Sequence, residues 1–209
     1  MENAQNPPSS TSIDSRIAAN LKALRADHKL SLEALAYVTG VSRSALSLIE
    51  RGQNSPTAVV LDKIAVGLGV TLSDLVGQRG GGSAEAAAPM PLARHAEQSV
   101  WTDPGSGYVR RALSPAHYPS PIQLVEVHFP AGARVAFETG SRNTQVHQQV
   151  WVLDGAMDLT VGTTTWQLTS GDCLAMTLEQ PMVFFNPTDR TTRYAVVLVS
   201  ETSSTTRKF

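Results

Sequence analysis

Arg43, Ser44, Ser47 and Leu48 lie on one side of a short apolar-periodic stretch, R-S-A-L-S-L-I-E, and their chemistry is recognition, not bond making. The Arg43 guanidinium presents a planar fork of donors that can bond bidentately to a guanine edge, worth about 1–3 kcal/mol of discrimination. Ser44 and Ser47 add hydroxyls that both donate and accept. Leu48 is a large apolar group that suits a thymine methyl or, with the helix rotated, the core.

Two elements must hold that face, and the run from Ser31 to Gly52 supplies them. Leu32, Leu35 and Ala36 repeat at helical spacing on a first helix, and Ala45, Leu46 and Ile49 on a second. Gly40 stands between them, where a helix C-terminus favours a left-handed residue. Ser31 and Ser42 are positioned as N-caps, and the N–H groups of the two helix starts form ready phosphate sites. Arg51 serves the fold or a phosphate, or pairs with Glu50 or solvent. Around this pair, Ile17, Ala18, Leu21 and Leu24 predict a preceding helix capped by Asp14 or Ser15. Val59, Val60, Ile64, Ala65 and Leu68 predict a following one, capped by Ser55 with Pro56 at its first position. Thr71 and Asp74 form a capping-box pattern that opens a short fifth helix.

The 209 residues carry a net charge of −1, with eight basic and seven acidic residues through Arg79 and nine against eleven beyond. So small a contrast permits nucleic-acid binding without requiring it. Cys173 is the single cysteine, which excludes an intrachain disulfide and a cysteine-based zinc site. In an apolar strand it reads as inert core. No signal peptide and no run of roughly 18 apolar residues is present, so a cytoplasmic protein is expected. Residues 1–12 read as a disordered arm without Arg or Lys, residues 13–76 as the helical domain, and 77–91 as a flexible Gly-, Ala- and Pro-rich linker.

Beyond the linker the period changes. Short β-type runs at Val109–Leu113, Ile122–Phe129, Val146–Leu153, Met157–Val161, Thr164–Leu168, Cys173–Thr177, Met182–Phe185 and Tyr194–Val199 are separated by turn signals. Many short strands predict a sandwich or barrel over 92–201, followed by a tail at 202–209.

The stretch L-S-L-E-A-L-A-Y-V-T-G-V-S-R-S-A-L-S-L-I-E-R-G, with S-P-T and I-A-V-G-L-G-V after it, resembles the phage-repressor-like helix-turn-helix family, also called the xenobiotic response element family. W-V-L-D-G at Trp151, L-T-S-G-D at Leu168 and N-P at Asn186 resemble the landmarks of a cupin. Together they imply a bacterial regulator: a five-helix repressor-like domain fused to a double-stranded β-helix (jelly-roll) barrel. The resemblance implies that the second helix enters the major groove of double-stranded DNA at a palindromic operator. Ser31, Ser42, Arg43, Ser44, Ser47, Leu48 and Arg51 then become the candidate contacts. The rival role of such a helical domain is protein contact.

Many cupins hold a metal through G-x5-H-x-H-x3,4-E-x6-G and a later His. Counting back from Gly155, the Glu position falls on Gln148, and the His pair on Ser141 and Asn143 or on Arg142 and Thr144. The later His position falls on Met182. No imidazole–carboxylate set remains for Fe, Mn or Ni, so no cofactor and no enzymatic activity is expected. His147 alternates with Gln148 and reads as outward-facing. The alternative is a metal-dependent epoxidase-like cupin with a helical repressor-like domain. Asn143, Gln148, Val150, Val152, Met182 and Phe184 are the candidate pocket for a small-molecule effector; filling of the barrel by these side chains is the competing role. Arg110 and Arg111 form no firm anion site, one of them being expected to face water. Cupins commonly pair, so a homodimer carrying two DNA-reading heads is expected.

Overall fold

A computed structural model describes residues 13–77, 90–116, 118–138 and 145–201. Five helices come first: α1 (Ile13–Asp27), α2 (Leu32–Thr39), α3 (Arg43–Glu50), α4 (Ala58–Leu68) and α5 (Leu72–Val76). Their boundaries follow from capping chemistry. Ser31 Oγ accepts from Ala34 N and Ser42 Oγ from Ala45 N, each satisfying one orphan helix N–H. Gly40 takes the left-handed conformation at φ 64° and closes α2 through a bond from its N–H to Ala36 O. Thr71 and Asp74 make the reciprocal capping box of α5.

The caps of α1 and α4 differ from expectation: α1 begins at Ile13, so Asp14 and Ser15 lie within its first turn. Thr57, not Ser55, is the N-cap of α4, and Pro56 precedes the helix. Ser55 Oγ instead donates to Asp14 Oδ1 at 2.8 Å, tying this turn to the first turn of α1.

The remainder is antiparallel β structure. Ten strands run β1 (Val100–Thr102), β2 (Val109–Ala112), β3 (Ile122–Phe129), β4 (Arg134–Phe137), β5 (Gln145–Asp154), β6 (Ala156–Val161), β7 (Thr164–Thr169), β8 (Cys173–Thr177), β9 (Met182–Phe185) and β10 (Thr192–Glu201). They form a six-stranded sheet, β1-β2-β3-β10-β5-β8, and a four-stranded sheet, β4-β9-β6-β7. This is the two-sheet antiparallel β architecture expected from the many short strands. The eight strands anticipated from sequence are present, and β1 and β4 are additional.

β10 holds the large sheet together, pairing with β3 on one side and β5 on the other. On β5 burial alternates without a break from Gln145 to Val152, placing Val146, Gln148, Val150 and Val152 inward and His147 outward. The D-G turn after β5 needs its glycine: Gly155 sits at φ 91°, and a Cβ there would meet Thr192 Oγ1 at 2.8 Å. Inside the barrel, aromatic rings follow one another from Trp101 through Tyr108, Phe129, Tyr194 and Phe184 to Phe137, mostly edge to face.

Cys173 departs from the core role expected of it: it is exposed. It begins β8, the outer strand of the large sheet, directly opposite the half-exposed Trp151. Register therefore puts both on the outer face, while the next pair, Leu174 and Val150, turns inward.

The helices pack onto the barrel through specific bonds. The carboxylate of Asp103, between β1 and β2, accepts the N–H of Ala58 at the start of α4, at 2.8 Å. Thr71 Oγ1 donates to Gln123 Oε1 on β3, and Gln123 Nε2 donates to Asp74 Oδ1. Arg16 Nη1 donates to Ser99 Oγ. Among the described residues no helix is long and apolar enough to cross a membrane.

Candidate functional site

Two sites are built on this scaffold. The first is α3. Its apolar residues Leu46 and Ile49 are wholly buried, which fixes the opposite face outward. Arg43, Ser44 and Leu48 are exposed there and Ser47 is half-buried, so the four side chains share one outward surface. Leu48 is 37% exposed and not part of the core. Ser42 Oγ lies 3.2 Å from Ser44 Oγ, so the cap and the first face residue share one polar cluster.

A charged clamp sets the attitude of α3. Arg25 of α1 grips Glu50 with two bonds, Nε to Oε1 at 2.6 Å and Nη2 to Oε2 at 3.0 Å. Its remaining Nη1 donates to Leu30 O in the turn before α2. The bond to Glu50 holds the Arg25 pKa above its ordinary value, against a smaller opposing effect of burial. Glu50 is thus committed to Arg25. Arg51 folds back instead, donating from Nε to Ser47 O at 3.1 Å at the end of α3. The last turn of α2 adds a feature that spacing did not single out: Tyr37 is 90% exposed and Val38 45%, beside the turn into α3.

The second site is a cavity in the barrel, closed on one side by the helices. It is partly open to solvent. Asp62 of α4, with Thr71 and Leu72 at the start of α5, forms the helical wall. Arg110, Gln148 and Tyr194 of the large sheet, with Tyr108 just before β2, supply polar groups. The rest of the lining is apolar, including Val127, Phe129, Met182, Phe184 and Leu198.

Gln148, Met182 and Phe184 therefore line a cavity, as their spacing suggested. Val150 and Val152 do not: they share the inward face of Gln148 and are wholly buried, but lie where the barrel is filled by its own side chains. Asn143 lies outside the described residues. Of the arginine pair, Arg111 is tied to His95 O, while Arg110 lines the cavity. The signal was present in Y-V-R-R: alternation on a strand puts Tyr108 and Arg110 on one face and Arg111 on the other.

Burial governs the electrostatics of the cavity. It pushes the phenols of Tyr108 and Tyr194 well above their usual range, with Arg110 working in the opposite direction on both. It pulls the Arg110 guanidinium below its ordinary value, opposed by the two tyrosines. As a metal site the cavity fits poorly. Gln148 offers a neutral amide and Met182 a thioether, and among the described residues no three His, Cys, Asp or Glu side chains gather.

With this geometry in hand, residues 21–75 match the family model for HTH_3 helix-turn-helix domains. The HTH-type transcriptional regulator SutR of Escherichia coli (strain K12) is 28% identical over 178 residues, covering 85% of this chain and 91% of that protein. The crystal structure of an HTH_3 family transcriptional regulator from Vibrio cholerae superposes with a TM-score of 0.70 at 25% identity, over 91% of this chain and 98% of that one. The cupin domain of an XRE family transcriptional regulator from Enterobacter cloacae covers 46% of this chain and 98% of its own, at 14% identity and a TM-score of 0.41.

Proposed function

We propose that this chain, an HTH_3 helix-turn-helix domain joined to a cupin barrel, is a cytoplasmic transcription regulator that reads operator DNA as a homodimer and answers to a small molecule in its barrel. The observation that carries the reading is the cavity's construction: its wall includes α4 and α5 of the DNA-binding domain as well as the two sheets. A molecule bound there touches the helical domain directly. Similarity to SutR and to the Vibrio cholerae regulator along most of the chain supports the regulatory role.

On DNA, α3 enters the major groove with Arg43 and Ser44 leading, while the N–H groups at the starts of α2 and α3 face phosphates. The face carries a single cation, Arg43, with Arg51 turned back on its own helix, so one head binds weakly. Two heads on one dimer read half-sites roughly 34–36 Å apart and gain from high effective concentration. The effector acts by binding one placement of the heads better than another, since only differential affinity shifts such an equilibrium.

Sequencing genomic fragments that co-purify with the protein tests this reading. The expected result is enrichment of a short palindrome that a mobility-shift assay then confirms. Failure to bind any duplex at low salt, where phosphate attraction is strongest, defeats it.

A further inference from the structure

The polar lining of the cavity is rich in donors that the protein leaves unused. Arg110 donates once, from Nη2 to Ser73 Oγ at 2.7 Å, and among the described residues no carboxylate pairs with it. Among the described residues its other N–H groups have no acceptor. Tyr108 and Tyr194 are 4% and 5% exposed, yet neither hydroxyl has a hydrogen-bond partner among the described residues. Gln148 is 7% exposed, and its amide N–H makes only a 4.0 Å contact with Met176 Sδ. Three buried polar groups and the half-buried Arg110 thus face one largely apolar cavity, which Asp62 also lines.

Donors that face a cavity without a protein acceptor are free to bond what enters it. Water in the cavity relieves the phenols and the amide, but it does not neutralise a guanidinium. A ligand oxyanion does both, because a carboxylate accepts about four bonds and a bidentate Arg pair is the strong form of that contact. Asp62, on α4, lines the same cavity and its charge reaches Tyr108, so Arg110 is the group that holds the acid. The apolar remainder of the lining suits a short hydrocarbon or aromatic body.

We infer that the cavity binds a small organic acid, its oxyanion head held by Arg110, Tyr108, Tyr194 and Gln148 and its apolar body against Phe129, Phe184 and neighbours. This rests on reading the cavity as the effector site, and it adds the chemical class of the effector. It also places the head of the ligand one hydrogen bond from α5, through Arg110 and Ser73.

The test uses the full chain with hexanoate and benzoate, each beside its uncharged isostere, hexanamide and benzamide. Calorimetric titration and thermal shift are expected to show saturable binding of at least one acid, with the matching amide at least tenfold weaker. Tyr194→Phe keeps the ring and is expected to weaken the acid about five- to tenfold; Arg110→Met is expected to abolish it. Should Arg110→Met not fold, the Tyr108→Phe, Tyr194→Phe pair decides, with losses expected from each. The inference is overturned if neither acid binds, if the amides bind as tightly, or if the variants leave acid affinity unchanged. Operator affinity measured in parallel separates the two readings. Acid binding that leaves DNA affinity unaltered defeats the effector role alone, whereas amides that bind and alter DNA affinity defeat the acid class alone.

Discussion

Arg110 on β2 donates to Ser73 Oγ on α5 across 2.7 Å, so a cation lining the barrel cavity is also a strut to the DNA-binding domain. Burial of the guanidinium makes that bond matter more than a surface contact of the same length, because the group has little water to fall back on. Ser73→Ala is expected to lower stability by about 1.5–3 kcal/mol, the usual range for one bond to a charged group. A double-mutant cycle with Arg110→Met is the check: the coupling energy should be about 0.5–3 kcal/mol, and additivity would show that the strut carries nothing.

Asp103 does for α4 what a capping side chain does from within a helix, but from the barrel. Its carboxylate accepts from Ala58 N, and it also accepts from the N–H groups of Gly105 and Ser106 and from Ser106 Oγ. A negative group at a helix start is further favoured by the helix dipole. Asp103→Ala leaves the buried Ala58 N–H and the partly buried donors of Gly105 and Ser106 unpaired, and a loss of about 2–4 kcal/mol is expected. Calorimetry supplies a second readout: the variant should split one unfolding transition into two, because this bond ties α4 to the barrel.

The Arg25–Glu50 clamp and Arg43 should separate in their effects on DNA. Glu50→Ala strands the guanidinium of Arg25 and is expected to cost about 1.5–3 kcal/mol of stability, seen as a lowered denaturant midpoint. Arg43 is exposed, so Arg43→Ala should leave that midpoint within about 0.5 kcal/mol. It should instead weaken operator binding by about 1–3 kcal/mol, with relaxed preference at a single base pair. Unchanged operator affinity in Arg43→Ala would point to a protein-contact role for the helical domain.

Sequence alone conveyed the helical half nearly in full, because its information is local. Ser31, Ser42, Gly40 and the Thr71–Asp74 box each act within four residues of themselves, where caps and spacing are legible. The cap of α4 was misassigned because Ser55 and Thr57 both suit the role. The choice is made by a turn that sends the Ser55 hydroxyl to Asp14. Long strands such as β5 were legible from alternation, whereas β1 and β4 are three and four residues long, too short to show a period. The cavity was half legible. Gln148 and Met182 follow from motif spacing and Phe184 from strand alternation, but Asp62, Thr71, Tyr108, Arg110 and Tyr194 meet only after helices and sheets pack, across separations such as the 52 residues between Thr71 and Gln123. Cys173 was misread because apolar neighbours do not say which face of a strand is covered.

Gly67 offers a test of the helix packing beneath the recognition face. It lies within α4, where glycine weakens a helix by about 1 kcal/mol relative to alanine, so its presence needs a packing reason. The reason is contact with α2: a Cβ on Gly67 would stand 2.7 Å from Thr39 Cγ2 and 2.8 Å from Val38 O. The second of these is backbone and cannot swing aside. Gly67→Ala should therefore forgo the usual helix gain and destabilise by about 1–3 kcal/mol, with Gly67→Val worse. Because α2 and α3 share the turn at Gly40, displacement of α2 should also lower operator affinity while leaving acid binding in the barrel intact. A stabilised Gly67→Ala, measured by denaturant unfolding, would mean that the two helices do not approach this closely.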